Sequence, residues 1–488
     1  MQLRELLRDL EVLDWLGDPE VEVTSLTHDS RRIEPGACFA CLGGVRTDGH
    51  AHAPEAVESG ASSLLVDRLL PLDVTQARVA DVRSVLGGVA ARLHGEPSRS
   101  LRVVGVTGTN GKTTTVSLID AIGRAAGERV GVIGTLGTRI EERTSDHELT
   151  TPESTDLQAT LATMHADGIG LVAMEVSSHA LVRHRIDGTH FAAACFTNLS
   201  HDHLDEHRTM AEYFAAKELL FEPGRTAIGT TNLDDPFGRR LAERLAETDV
   251  DCVTYAVRDE RARIGAQGVS YQADGTRFDL LDRESGAHAS IENELLGEFN
   301  VANQLAAAAS ASALGLPFDA VITGLGTATP IPGRLERVEA GQSFSVLVDY
   351  AHTPDSLDRA LEVSRLLGGR VAVVFGCGGD RDPTKRPMMG AVAGRRADLV
   401  IVTSDNPRDE DPGAIAAAVV SGLPDGVDAV VELDRRRAIE HALVTAQPGD
   451  VVLVAGKGHE TGQTVAGVTR SFDDRLVVRE LLGARRCA

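Results

Sequence analysis

The sequence predicts an α/β protein of three domains, with a mostly parallel sheet in its central unit. Three observations lead there. Its 488 residues exceed what one hydrophobic core usually supports. Short apolar runs of strand length alternate with helical stretches along most of the chain. Two polar breaks containing proline, HGEPSRS at 94–100 and TATPIPGRLERVE at 327–339, interrupt that alternation and divide the chain into 1–97, 98–331 and 332–488.

The first unit opens with MQLRELLRDLEVLDWLG, which mixes charges with leucines at helical spacing, and then carries the strands CFACLGG and ASSLLVD with helical patterns between them. That is a small α/β unit. In the second, LRVVGVTG, VGVIGT, GIGLVAMEVSS and FAAACFTNLS read as strands, and the alanine-rich NVANQLAAAASASALG follows them. In the third, FSVLVDYA, RVAVVFGCGG, ADLVIVTSDN and DVVLVAGKG each end in a Gly, Asp or His cluster. Open α/β sheets bind ligands at the carboxyl ends of strands.

Composition narrows the function classes. With 42% hydrophobic and 25% charged residues and 49 glycines the chain is ordinary globular material without a repeat. A formal charge of −23 repels polyanions and argues against nucleic-acid binding, while a small phosphorylated substrate stays open because local cations outweigh a distant negative surface. The opening segment lacks the apolar core of a signal peptide, and no run is long enough to span a bilayer, so a cytoplasmic protein is expected. Six cysteines are too sparse for a disulfide scaffold. Cys38 and Cys41 form a C-x-x-C, but no second pair completes a zinc site, so they read as small apolar residues of a buried strand.

The chemistry begins at VVGVTGTNGKTTTVSLIDAIGRAAG, where a strand runs through a glycine-rich turn into an amphipathic helix, the context a phosphate loop requires. Gly108, Thr109, Asn110 and Gly111 supply the turn and its amides, Lys112 reaches the outer phosphates, and Thr113 and Thr114 open the helix, with the Thr113 hydroxyl suited to Mg²⁺. One departure from the standard pattern is Val106 in place of the first glycine, with glycines at 105 and 108 instead. An apolar strand ending in a carboxylate should lie beside such a loop, and Glu175 fits.

TGTNGKTTT, LTTPES, MEVSSHALVRHR, FTNLSHDHLDEHRTMAEYFAAKELLF, PGRLE, DYAHTPDSL, GCGGDRDPTKRPMMG, TSDNPR and AGKGHE occur in that order, and together they resemble the motifs of the muramyl peptide ligases from Asp29 to Glu460. The resemblance implies a domain holding the UDP end of the substrate, a central P-loop ATPase domain, and a C-terminal Rossmann-like domain that brings an amino acid. It implies a ligase forming carbon–nitrogen bonds, adding meso-diaminopimelate to UDP-N-acetylmuramoyl-L-Ala-D-Glu in peptidoglycan synthesis, through an acyl phosphate made from ATP. It further implies Mg²⁺ near Thr113 and Glu175, a second ion near His203 and Lys217, a carbamate formed from CO₂ on Lys217, and a monomer. His201 and His207 are read as structural or surface residues.

By the same resemblance the uridine end meets Ser30 and the loop Val45, Arg46 and Thr47, although Asp29 and Ser30 equally suit a helix cap. Thr150, Thr151, Ser177, Arg183 and Arg185 match contacts to the muramyl peptide; relatives often carry glutamine at the position of Arg183. Asn300 or Asn303, Arg334 and Asp349 match contacts to ATP, with Arg334 reaching phosphate only if the last domain closes. The amino acid is expected at Arg381, at Asp405, Asn406, Pro407 and Arg408 of DNPR, and at Gly456 and Glu460 of GKGHE. A second carboxylate at the far end of diaminopimelate calls for a cation, and Arg408 offers a guanidinium fork. Lysine-adding relatives lack that arginine. The competing readings are a lysine-adding or folylpolyglutamate synthase-like ligase and, from another class, a nucleotide-dependent binding protein sharing only the phosphate loop.

Overall fold

A computed structural model describes residues 1–44, 47–145, 147, 149–272 and 275–487. Its first sheet is built from β1 (Asp14–Leu16), β2 (Ser25–Thr27), β3 (Ala37–Ala40), β4 (Ser63–Val66) and β5 (Thr75–Arg78), in the order β1-β5-β4-β3-β2. β2 to β5 run parallel, and β1 joins the edge antiparallel. The opening helix is shorter than the leucine spacing suggests. It ends after Leu3–Leu6, with Leu3, Leu6 and Leu7 buried, because Leu13 then donates to the Arg78 carbonyl and draws the chain into β1. Sheet pairing overrides local helical preference here. Cys38 and Cys41 lie buried and unbridged in and just after β3, and burial pushes their thiols up to about 11 and about 12.

The central sheet has eleven strands: β6 (Arg102–Thr107), β7 (Val130–Gly134), β8 (Gly137–Ile140), β9 (Arg143–Ser145), β10 (Leu171–Glu175), β11 (Phe191–Phe196), β12 (Thr226–Asn232), β13 (Asp251–Ala256), β14 (Ile264–Gln272), β15 (Gly275–Asp282) and β16 (Ala287–Asn293). Their order is β16-β15-β14-β13-β12-β11-β6-β10-β7-β8-β9, parallel from β14 to β7 and antiparallel at both edges. β6 sits between β10 and β11, so its carboxyl end opens at a crevice where connections depart to both sides. One face packs on the helices Lys112–Ala125, Glu298–Ala313 and Phe318–Gly326, the other on Ser154–Ala166, Met210–Glu218 and Pro236–Leu245. The antiparallel extension β14 to β16 has no counterpart in the sequence reading. Its faces alternate between core and water, as in the β15 pattern of buried Phe278 and Leu280 between exposed Arg277 and Asp279, and such strands lack the continuous apolar run of buried parallel ones.

The third sheet comprises β17 (Glu336–Arg337), β18 (Ser345–Asp349), β19 (Val371–Phe375), β20 (Leu399–Val402), β21 (Ala429–Val431) and β22 (Val451–Ala455), ordered β17-β18-β22-β19-β20-β21 and parallel except for β17. A hairpin, β23 (Gly462–Val465) and β24 (Val468–Ser471), follows. Between the first and second units contact is close: a Cβ on Gly87 would lie 2.2 Å from the Asp187 carbonyl oxygen, and Arg83 pairs with Glu153 at 3.1 Å. Among the described residues no helix is long and apolar enough to cross a membrane.

Candidate active site

The turn after β6 is shaped by close backbone approach. Gly108 and Gly111 hold φ of +148° and +87°. A Cβ at Gly108 would fall 1.9 Å from Thr197 Oγ1, and one at Gly111 2.2 Å from Asn303 Oδ1, so only glycine lets the loop nest between β11 and the helix Glu298–Ala313. Lys112 folds back over the turn, its Nζ donating to the carbonyls of Gly108 at 3.0 Å and Thr109 at 2.9 Å. Burial draws its pKa below the usual lysine range. Asn110 ties the loop to both sides: its main-chain carbonyl accepts from Thr197 Oγ1 at 2.7 Å and Asn198 Nδ2 at 3.0 Å, and its side-chain amide donates to Asp355 Oδ2 of the third unit at 3.0 Å.

A second lysine converges on the same carbonyl. Lys217, on the helix Met210–Glu218, donates from Nζ to Gly108 O at 2.9 Å and lies 4.5 Å from the centre of the Tyr213 ring. It is 1% exposed. Burial first, then the neighbouring Lys112, holds its pKa well below that of an ordinary lysine, which favours the neutral amine. His203, in the left-handed conformation with φ +54°, packs edge-on to His179 with ring centres 4.8 Å apart, and burial lowers its pKa to about 3. Its Nε2 lies 3.3 Å from Asp202 Oδ2. His207 is structural, as read from sequence: it bonds Ser178 Oγ at 2.9 Å and stacks on Tyr213. His201 lies 3.9 Å from Asp382.

Glu175 closes β10 beside the loop and is 1% exposed. Its Oε1 accepts from Thr135 N at 2.8 Å and its Oε2 from Thr135 Oγ1 at 3.1 Å. Thr150 bonds the same Thr135 hydroxyl at 3.2 Å, while Thr151 donates to Glu175 O at 2.8 Å and accepts from Ser177 N at 3.1 Å. Ser177 caps the helix Ser178–Val182 by accepting from Ala180 N. Arg185, buried, donates to Glu153 Oε1 at 3.0 Å and Thr151 O at 3.4 Å. These five residues therefore form one cluster. Arg183 stands apart, half-exposed and paired with Glu206 at 2.6 Å. Ser30 begins a 3₁₀ turn capped by Asp29, the cap that sequence allowed; Thr47 is exposed, and Val45 and Arg46 lie outside the described residues.

A cavity of about 640 Å³ opens between the second and third units, lined by Gly111, Asn300, Asn303, Arg334, Asp349 and Tyr350 among others. Asn303 donates to Asn300 Oδ1 at 3.1 Å. Arg334 already spans the two units: Nη2 donates to Thr113 Oγ1 at 3.3 Å, and its guanidinium lies 4.5 Å from the Tyr350 ring centre. Asp349, at the end of β18, accepts from Leu335 N and Ala351 N, both at 2.7 Å, and thereby fixes the linker that carries Arg334.

At the carboxyl ends of β19, β20 and β22 the remaining sequence-selected residues meet. Asp405 lies against Gly456, where a Cβ would come within 2.5 Å of Oδ2. Asn406 donates to Glu460 Oε2 at 2.8 Å and accepts from Thr464 N at 2.9 Å. The Pro407 carbonyl crowds Gly379. Arg408, at φ +53°, donates from Nη1 to Gly379 O at 2.5 Å, and its backbone is gripped by the β23–β24 hairpin through Thr464 and Ala466. Arg381 is exposed, with Cγ 3.8 Å from where a Gly378 Cβ would sit.

Several residues of this cleft escaped the sequence reading. Lys457 is 0% exposed and donates to Glu460 Oε2 at 3.0 Å. Asp202 is buried among His203, His352 at 3.8 Å and Lys385 at 3.8 Å, and although burial works the other way, its hydrogen bond with His352 and the charge of Lys385 help to hold its carboxyl below the usual range. Lys457, Asp202, His352 and Lys385 all lie inside the quoted motifs. What hid Asp202 was that two of its neighbours lie in another domain; a signal was present in the DH and DRDPTK runs.

Comparison with known proteins gives a consistent picture. Residues 22–93 match the model of the Mur ligase family, catalytic domain, 106–311 the Mur ligase middle domain, and 333–458 the Mur ligase, glutamate ligase domain. UDP-N-acetylmuramoyl-L-alanyl-D-glutamate–2,6-diaminopimelate ligase of Geobacillus kaustophilus is 44% identical over 478 residues, covering 96% of each chain. The protein of that name from Streptomyces coelicolor is 43% identical over 493 residues, covering 97% of this chain and 96% of its own. A solved structure of a 2,6-diaminopimelate ligase of the same name superposes with a TM-score of 0.71 at 32% identity, covering 100% of this chain and 99% of that one. MurF ligase from Thermotoga maritima in complex with ADP, at 18% identity and TM-score 0.67, shares the fold over 97% of this chain and 100% of its own.

Proposed function

The chain belongs to the Mur ligase family, and from that premise we propose that it joins meso-diaminopimelate to the γ-carboxylate of D-glutamate in UDP-N-acetylmuramoyl-L-Ala-D-Glu. The reaction is an ATP-dependent step of peptidoglycan synthesis. In this reading residues 1–97 hold the UDP end, 98–331 the ATP and 332–488 the incoming amino acid. The observation that carries it is the convergence of two lysines, the half-buried Lys112 and the buried Lys217, on the Gly108 carbonyl.

The chemistry dictates such a site. A carboxylate is a poor electrophile, so its oxygen first takes the γ-phosphoryl group as the bond to ADP breaks. The amine then attacks the acyl carbon, a C–N bond forms, phosphate leaves, and the nitrogen gives up a proton. Catalysis consists largely of holding anionic groups together. Lys112 and the amides of 108–113 gather the phosphates. Arg334 reaches the same place from the linker, with its Thr113 contact already made. Thr150, Thr151, Ser177 and Arg185 orient the muramyl peptide beside Glu175, and Ser30 with Val45, Arg46 and Thr47 serves the uridine end.

Magnesium fits the donors present. Thr113 offers a hydroxyl, Glu175 a buried carboxylate fixed by Thr135, and His203 an imidazole that burial keeps neutral. Among the described residues no three His, Cys, Asp or Glu side chains form a cage, as suits an ion that shares its shell with phosphates and water. When bound, it neutralises phosphate charge. Lys217, buried and inclined to the neutral amine, suits addition of CO₂: an N–C bond forms, a proton leaves the nitrogen, and the neutral amine becomes an anionic, carboxylate-like ligand.

At the far end of the amino acid Arg408 meets the second carboxylate and Arg381, which like Arg408 lies close to Gly378, meets the other one, while Asp405, Asn406, Gly456 and Glu460 meet an ammonium. Phosphate release from ATP with the muramyl dipeptide nucleotide, compared between diaminopimelate and lysine, tests the proposal. Release that depends on diaminopimelate supports it. Release equal with lysine removes the specificity, and no amino-acid dependence removes the ligase.

A further inference from the structure

Beneath the strand ends that carry Asp405 and Gly456 lies an ion pair that the reaction leaves unused. Arg435 opens the helix Arg435–Thr445 and Asp474 opens the helix Asp474–Cys487. Both side chains are 0% exposed. The guanidinium meets the carboxylate twice, Nε to Oδ1 at 2.8 Å and Nη2 to Oδ2 at 2.6 Å. Its other hydrogens reach two main-chain carbonyls, Ala455 O at 2.9 Å from Nη2 and Ser404 O at 3.3 Å from Nη1.

Those carbonyls belong to the residues immediately before Gly456 and Asp405. Gln463 of β23 adds a donor to Asp405 O at 2.8 Å, so the loop after β20 is tied down from below by Arg435 and from the side by the hairpin. The tolerance between the two loops is small, because the Asp405 carboxylate lies where a Gly456 Cβ would be. A shift of either carbonyl moves that carboxylate relative to the 456–460 turn. Stability alone does not call for this arrangement, since a buried ion pair is often replaced by apolar side chains without loss. Burial lowers the Arg435 pKa, but Asp474, and with it Asp405 and Glu460, more than offsets this, so its charge also acts on the two acids above it.

We propose that the Arg435–Asp474 pair is a positioning device for the amino-acid site: it sets the spacing of the Ser404 and Ala455 carbonyls and so aligns Asp405, Asn406 and Gly456 for the ammonium group. The identity of that ligand rests on the function proposed above, but the alignment itself does not.

Three full-length variants test it: Asp474→Asn, Arg435→Lys, and the doubly apolar Arg435→Met with Asp474→Leu, which leaves no lone buried charge. KM for diaminopimelate and for ATP is measured for each, with hydrogen exchange of the intact protein. The expected result is a rise of at least tenfold in amino-acid KM, with ATP KM within twofold of the parent. Amides of 403–408 and 455–460 should exchange at least tenfold faster, with 102–113 unchanged. A pair that served only stability would lower the melting temperature and leave the ratio of the two KM values and the loop exchange as they were, and that outcome overturns the proposal. Insolubility of all three variants would make the pair a folding element and overturn it as well. If the parent shows no amino-acid-dependent phosphate release, the assigned reaction fails, while the exchange data still judge the pair.

Discussion

Arg408→Ala gives the sharpest separation between recognition of the amino acid and everything else in the cleft. Among the described residues the side chain makes one hydrogen bond, Nη1 to Gly379 O at 2.5 Å, which leaves the rest of its fork to a carboxylate. A hydrogen bond to a charged group contributes about 1.5–3 kcal/mol. Because Arg408 is only half-buried, a loss of about 2–3 kcal/mol is expected, or roughly 30- to 150-fold in KM at about 1.4 kcal/mol per factor of ten. The backbone should survive, since Arg408 N donates to Thr464 O at 3.0 Å and Arg408 O accepts from Ala466 N at 2.6 Å whatever the side chain. Arg408→Gly supplies the control. At φ +53° glycine relieves about 1 kcal/mol of left-handed strain, so this variant should be more stable than Arg408→Ala yet equally impaired. Initial rates of phosphate release with diaminopimelate, lysine and ATP varied in turn are the assay. Equal rises in KM for diaminopimelate and ATP, or no rise for diaminopimelate, would refute the distal-carboxylate contact.

Other expectations bear on neighbouring parts of the molecule. Lys217→Ala should lose nearly all turnover and regain part of it with added short carboxylates in place of a carbamate; full activity, or none regained, counts against the modification. Gly111→Ala places a Cβ 2.2 Å from Asn303 Oδ1 at φ +87°. Left-handed strain of about 1–2 kcal/mol and a disturbed Asn303–Asn300 bond of about 0.5–1.5 kcal/mol should lower stability by about 2–3 kcal/mol in urea unfolding, and Asn303→Ala in the same chain should restore part of it. Unfolding at wild-type urea would contradict the close packing. Burial lowers the His459 pKa to about 4 from 6.5, so the unfolded chain binds the extra proton first. Stability is full above about pH 6.5 and falls as pH drops toward 4. His459→Gln should flatten that part of the urea-midpoint profile, and an unchanged slope would be the contrary result.

Much of this protein is written locally. The phosphate loop was legible because its chemistry needs contiguous residues: glycines for the turn, then Lys112 and Thr113 at the helix start. The buried parallel strands were legible for the same reason, as short apolar runs. The surface strands β14 to β16 were not, because alternating exposure dilutes the apolar signal, and the opening helix was cut short by a sheet edge that the first seventeen residues do not contain.

What tertiary structure decided is which distant charges share a dielectric environment. Lys217 reads on its own as one more residue of an amphipathic helix, and burial beside Lys112 gives it its weak basicity. Asp202 acquires His352 from a loop about 150 residues further on and Lys385 from a helix start beyond it, and Arg435 meets Asp474 across 39 residues. Pattern reports backbone periodicity and adjacent functional groups, whereas solvation and Coulomb energy depend on distances that exist only once the chain has closed upon itself.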